Sequence, residues 1–290
     1  MSGLTFWKMH GTGNDFVVTR ADDLSVPDGH WSKLATAICD RHFGVGADGL
    51  ILVQPSDVAD RKMRIFNADG SDGVMCVNGI RCFVKFCLDQ GLVDSPSGAM
   101  RVETNTGIQE THATRGADGL VDSVRVVVGV PDLDPASVGV SIEQAPPVTA
   151  MPVTVDDMLG ATTLNVALVS MGNPHAVNFI DGAPRDYPLE RIGPLVEHHP
   201  TFANRTNYEV VRVAARDRID MRVWERGVGE TLACGSGACA VVVAARVLGK
   251  VDDQVDVAVP GGVLHIEWDG EGAVVLTGPV ARVFTAEWEH

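Results

Sequence analysis

Basic residues are scarce in this chain: 23 Lys and Arg stand against 38 Asp and Glu, for a net charge of −15. Nucleic-acid affinity rests mainly on cations that neutralise phosphates, so this balance argues against a nucleic-acid partner, and the acidic excess favours solubility. Long apolar runs are missing as well. None approaches the roughly 18 residues a membrane span needs, and "MSGLTFWKMHGTGNDF" has neither the basic start nor the apolar stretch of a secretory leader. These absences predict a cytoplasmic protein that engages no membrane. The six cysteines, at 39, 76, 82, 87, 234 and 239, are too few and too irregular for a disulfide framework. Without CxxC or paired Cys/His spacing, no structural metal is expected.

What is present is an ordinary globular composition, 45% hydrophobic and 21% charged, long enough for two medium domains. A duplication suggests where they lie. "MRIFNADGSDGVMCVNGIRC" (63–82) aligns with "MRVWERGVGETLACGSGACA" (221–240) at an offset of 158, which sets Cys76 opposite Cys234 and Gly79 opposite Gly237. Upstream, "GTGNDFVV" matches "SMGNPHAV", with Asn14 opposite Asn173. Register held over such a distance points to two copies of one unit.

Alternating or β-branched stretches such as "DFVVTR", "GLILVQ", "KMRIFN", "YEVVRV", "DMRVW" and "QVDVAV" read as strands, and "VPGG" at 259–262 suits a hairpin. Helix signals are few: 30–42, 78–91 and 235–249, the last two closing on Gly91 and Gly249. Those two are apolar nearly all round, which predicts burial on most faces. Residues 111–162 offer only turns and Pro-rich connections beyond the strand "VRVVVG". The expected fold is α+β, with two pseudo-symmetric domains, each a mostly antiparallel sheet or barrel wrapped around a central helix. The expected halves are 1–128, completed by a C-terminal strand at 279–290, and 129–278.

Each copy places a cysteine just ahead of a buried helix, where unpaired N–H groups and the helix dipole favour negative charge. A thiol there becomes a better base, and the same N–H groups can hold a carboxylate. Two such halves suit inversion of a stereocentre α to a carboxylate: one thiolate removes the α-hydrogen while a thiol on the other face returns a proton. No stretch suggests a pyridoxal phosphate site, and no cofactor is expected. Cys39, Cys82, Cys87 and Cys239 read instead as small buried hydrophobes.

"MHGTGNDF", "GADG", "FNADGS", "MCVNG", "GNPH", "NRTNYE", "ERGVGET" and "ACGSG", in this order over essentially the whole chain, resemble the diaminopimelate epimerase family. The resemblance implies pyridoxal-independent interconversion of LL- and meso-2,6-diaminopimelate, two related domains with the site in the cleft between them, and a homodimer. It implies Cys76 and Cys234 as the acid/base pair. His175 and Glu225 would tune thiol protonation, and Asn14, Asn67, Asn173 and Asn207 would bind substrate. Glu225 and Arg226 would recognise the distal end, and the backbone at Val77, Asn78, Gly235 and Ser236 would hold the reacting carboxylate. A guanidinium suits that task because it can grip a carboxylate with two parallel hydrogen bonds.

Two positions depart from the family pattern. Val77 stands where glycine is typical, and its stiff branched side chain is expected to crowd the carboxylate pocket. Tyr208 stands where a smaller apolar residue is usual. Three other readings share these residues: a two-cysteine racemase of another amino acid, such as proline or histidine; a thiol redox protein in which Cys76 and Cys234 pair reversibly; and a non-catalytic amino-acid binder.

Overall fold

The structure is a computed structural model that describes residues 3–21, 27–74 and 76–289. The chain divides into two compact units, Met1–Val127 with Thr277–His290, and Val128–Leu276.

The first half begins with β1 (Leu4–Gly11), β2 (Asn14–Arg20), α1 (Asp28–Cys39), β3 (Gly49–Gln54) and β4 (Arg61–Asn67). It continues through α2 (Val77–Asp89), β5 (Ala99–Thr104), β6 (Gly107–Arg115) and β7 (Val121–Gly129). Strand β2 runs antiparallel to β1 and parallel to β3, and β4 runs antiparallel to β3 and parallel to β5. This sheet is covered on both faces, which explains the unbroken apolar run "GLILVQ". Phe16, Val18, Ile51 and Ile65 join a core with α2, whereas the alternate residues Val17, Leu50, Leu52 and Phe66 pack with Trp31, Ala35 and Ile38 of α1. Every residue of α2 from Val77 to Leu88 is buried.

The second half repeats the plan with β8 (Met151–Asp157), β9 (Gly160–Ser170), β10 (Pro174–Phe179), α3 (Leu189–Glu197), β11 (Asn207–Ala215) and β12 (Arg218–Glu225). A short β13 (Gly229–Thr231), α4 (Gly235–Val247), β14 (Gln254–Val259), β15 (Gly262–Glu267) and β16 (Val274–Pro279) follow. Strand β10 runs antiparallel to β9 and parallel to β11, and β12 runs antiparallel to β11 and parallel to β14. The predicted 259–262 turn joins β14 to β15, with Val259 opposite Gly262. The last strand, β17 (Ala281–Trp288), pairs antiparallel with β1.

This is the α+β architecture expected, with three local corrections. Helix α3 has no counterpart among the predicted helices: it is nine residues long and carries Pro194 inside it, and Leu189, Ile192 and Val196 bury its inner face. Its proline masks a helical pattern that tertiary packing sustains. The region 111–162 holds the β8–β9 hairpin, with Asp157 opposite Gly160, so it is more than connections. Helix α1 spans Asp28–Cys39 rather than 30–42, because the Asp40 carboxylate accepts the N–H groups of His42 (2.7 Å) and Phe43 (2.8 Å) and turns the chain.

Candidate active site

In each half the loop before the buried helix ends on a cysteine that serves as the helix N-cap. Cys76 has φ −114° and ψ 121°, Cys234 has φ −114° and ψ 114°, and each precedes a helix of 13 residues. Extended backbone at the cap directs the first N–H groups of the helix, on Val77 and Asn78 or on Gly235 and Ser236, toward whatever lies ahead of it. Both helices stop at a glycine just past the cap, Gly91 with φ 65° and Gly249 with φ 69°.

Cys76 meets Asn14. Its thiol donates to Asn14 Oδ1 (3.5 Å), which also accepts from Asn78 Nδ2 (3.3 Å). The other end of the Asn14 amide is fixed, since its Nδ2 donates to Asp48 (2.6 Å) and Asp48 is paired with Arg41 (2.7 Å). Arg81, fully buried within α2, donates to Asn78 Oδ1 (2.9 Å) and Thr12 (3.1 Å). Asn67 lies exposed at the end of β4, where its amide donates to Ser71 Oγ (2.9 Å). Val77 is the first residue of α2 and is absent from the positive-φ positions, so its β-branched side chain sits in the helix start without backbone strain. It is buried, which places its side chain in the core rather than in solvent.

Around Cys234 the groups are more acidic. Its sulfur accepts from Gly237 N–H (3.4 Å) and lies 3.5 Å from Ser236 Oγ. Burial pushes the Cys234 thiol well up, the charges of Glu225 and Glu209 push the same way, and the Ser236 and Gly237 donors pull it down. Glu225 accepts from Thr231 Oγ1 and from the Cys234 thiol; its carboxyl is raised by burial, which outweighs those donors. His175 is fully buried, with Nδ1 2.6 Å from Glu209 and Nε2 3.0 Å from Asn173 Oδ1, while Asn173 Nδ2 donates to Ser236 Oγ (3.2 Å).

Two expected substrate ligands make hydrogen bonds within the protein. Asn207 donates to the Pro174 carbonyl (2.9 Å) and accepts the Arg226 N–H (2.9 Å), so it shapes the turn that carries Glu225 and Arg226. The exposed Arg226 guanidinium reaches the Asn204 carbonyl (3.2 Å). Tyr208 points to the opposite face of β11 from Asn207 and Glu209; it is fully buried, and its hydroxyl meets Asn178 and Tyr187, each at 2.8 Å. It therefore belongs to the core beneath α3, with no part in lining the Cys234 site.

The other cysteines behave as core. Burial pushes Cys39 and Cys82 up to about 12, and Cys87 is raised further by the same cause. Among the described residues, no three His, Cys, Asp or Glu side chains gather in a way that could hold a metal ion, and no helix is long and apolar enough to cross a membrane.

The sequence model of the family described as "Diaminopimelate epimerase" matches residues 6–130 and 167–283. The diaminopimelate epimerase of Acetivibrio thermocellus is 44% identical over 285 residues, covering 98% of each chain. The chain belongs to the diaminopimelate epimerase family. A second relative of the same name, from Heliobacterium modesticaldum, is 45% identical over 289 residues, 98% of this chain and 99% of its own. The fold is shared more widely than the family. A hydroxyproline epimerase from Agrobacterium vitis superposes with a TM-score of 0.71 at 15% identity, over 98% of this chain and 92% of that one.

Of the residues singled out from the sequence, the structure brings Cys76, Val77, Asn78 and Asn14 together in the first half. It brings Cys234, Gly235, Ser236, Asn173, His175 and Glu225 together in the second. Asn67 stands apart on its exposed turn. Sequence reasoning passed over Asp48, Glu209 and Thr231, which hold Asn14, His175 and Glu225 respectively.

Proposed function

We propose that this protein is a diaminopimelate epimerase that interconverts the LL and meso isomers of 2,6-diaminopimelate by a two-base mechanism with no added cofactor. The observation that carries the mechanism is the pair of equivalent N-cap cysteines, one in each half, in a chain of this family. Inversion at an α-carbon needs a base on one face and an acid on the other, and each half supplies one thiol. In one direction the Cys234 thiolate takes the α-proton and the Cys76 thiol returns one; the roles exchange in reverse.

The carboxylate next to the reacting carbon is held by the N–H groups of Val77, Asn78, Gly235 and Ser236, where the helix dipoles stabilise developing negative charge. Asn14, Asn67, Asn173 and Asn207 bind the substrate's amino and carboxylate groups. Glu225 and Arg226 serve the distal amino-acid end, with the exposed Arg226 guanidinium available to a second carboxylate. His175 and Glu225 set the protonation of Cys234. The reading includes a homodimer in the cytoplasm that binds a small amino acid and neither nucleic acid nor membrane.

The test is proton NMR of the reduced protein with LL-diaminopimelate in deuterated water. Loss of the α-proton signal together with growth of the meso isomer is the expected result. No exchange in folded, reduced protein would overturn the reading, and exchange of proline or histidine in its place would reassign the substrate.

A further inference from the structure

Helix α3 ends on a carboxylate that its own stability does not call for. Glu197 is its last residue, at the end where a helix dipole favours cations, and the last turn carries no basic side chain. The residue is buried all the same. Burying a carboxylate is costly unless donors surround it, and here they do. Oε1 accepts the Gly227 N–H (2.9 Å) and meets Arg205 (3.4 Å), and Oε2 accepts the Trp224 indole N–H (2.8 Å). Burial alone would raise the carboxyl; the Trp224 and Gly227 donors, with His198 and Arg205 nearby, outweigh it and hold Glu197 below the ordinary carboxylate value.

These partners belong to two turns outside α3. In the β12–β13 hairpin Glu225 lies opposite Gly229, so Arg226, Gly227 and Val228 form the connecting loop. Its first two N–H groups go to side chains from elsewhere: that of Arg226 to Asn207 Oδ1 (2.9 Å), that of Gly227 to Glu197. The second turn leads from α3 into β11. There Arg205 holds φ 57°, a left-handed backbone that is costly for a residue with a side chain, and the neighbouring Asn204 carbonyl accepts from the Arg226 guanidinium (3.2 Å). Glu197 therefore grips both turns, and Arg226 stands on one of them while its side chain reaches the other.

We propose that Glu197 is a positioning residue that sets where the Arg226 guanidinium stands, and so determines affinity for a substrate with a second, distal carboxylate. An arginine side chain loses rotamer freedom when it grips a ligand. Holding its backbone and its tip before the substrate arrives reduces that cost. The effect falls on binding, because Glu197 makes no contact with either N-cap cysteine among its hydrogen bonds. The role given to Arg226 rests on the epimerase reading above; the anchoring of its turn does not.

The test pairs kcat and KM for LL-diaminopimelate, followed by NMR, with amide hydrogen exchange at Gly227 in the substrate-free, full-length protein. E197A is expected to raise KM about tenfold and to keep kcat within about threefold of the parent, the pattern of lost uniform binding. Exchange at Gly227 should become at least about tenfold faster while the amides of α2 keep their rates. E197Q, which retains one acceptor oxygen, is expected to raise KM by only about threefold. Adding E197A to R226A should lower kcat/KM no further than R226A alone, as required of a residue that acts through another.

An unchanged KM in E197A, a loss confined to kcat, or a further loss in the double variant would overturn the recognition role, and unchanged exchange at Gly227 would overturn the anchor. If E197A does not fold, E197Q decides through its KM. A parent protein that leaves LL-diaminopimelate untouched overturns the epimerase reading and the recognition role with it. The exchange measurement needs no substrate, so it still decides whether Glu197 holds the turn.

Discussion

Helices α2 and α4 have the same length, the same capping residue and the same left-handed glycine after the last turn, yet they keep their polar groups in different places. Helix α2 carries its own, with Asn78, Arg81 and Lys85 all buried; Arg81 holds Asn78 and Thr12, and Lys85 pairs with Asp89 at 2.8 Å. Helix α4 is alanine and valine through its body, and the buried ionisable pair beside it, His175 and Glu209, comes from strands β10 and β11. The backbone of the repeat was retained while its ionisable groups moved between helix and sheet. A cysteine at a helix start is thus a fixed feature of the unit, and its surroundings are an adjustable one.

The largest expected effect breaks the comparison at its common element. C76A and C234A should each lower epimerisation of diaminopimelate by at least about a thousandfold, within the range of general acid–base catalysis, in NMR assays that follow the meso isomer. If either variant retained near-parental epimerisation, the two cysteines would not be partners.

The buried thiols give the next effect. Cys39 and Cys82, both in the first half, have thiols raised from 9.0 to about 12 on folding. A raised value means that the folded state holds its proton more tightly, so this stability is intact below pH 9 and is lost as pH rises toward 12. Each such thiol can remove up to about 1.4 kcal/mol per pH unit in that window. Urea midpoints should therefore fall with rising alkalinity, and less steeply in C82A.

The glycines sharpen the contrast between the two helix starts. In G237A the new methyl meets a carboxylate oxygen at 2.8 Å, but in G79A it meets the free end of Ile51 at 3.2 Å. Overpacking of this kind should cost G237A about 2 kcal/mol in urea unfolding and G79A about half of that or less. Smallest is Y208F. Tyr208 stands where the first half has Leu50, and loss of its hydroxyl from Asn178 and Tyr187 should cost about 1 kcal/mol by the same measurement, with epimerase rates unchanged.

The sequence made the repeat legible because a register of 158 was kept through strand, loop and helix start, and the buried helices showed in their lack of a polar face. It hid α3, whose proline interrupts a pattern sustained only by the packing of Leu189, Ile192 and Val196. The places of Cys76 and Cys234 at helix starts were readable from the sequence. Glu209 was not, although the alignment that paired the cysteines also set it opposite Ile51: a charge opposite an aliphatic side chain was the available signal. The turn that Asn207 builds, by donating to the Pro174 carbonyl and accepting the Arg226 N–H, has no sequence pattern that announces it. Val77 stands at a helical position, the first residue of α2, which a β-branched residue adopts without positive φ.

Strand β17 completes the first half by pairing with β1, so the opening and closing stretches of the chain are neighbours in one sheet. The second half is a single uninterrupted stretch, Val128–Leu276, and its strands β8 to β15 lie wholly within it. On a ribosome the second half can therefore close its sheet as it emerges, while β1 must wait until β17 has been made. The half synthesised first is the one finished last.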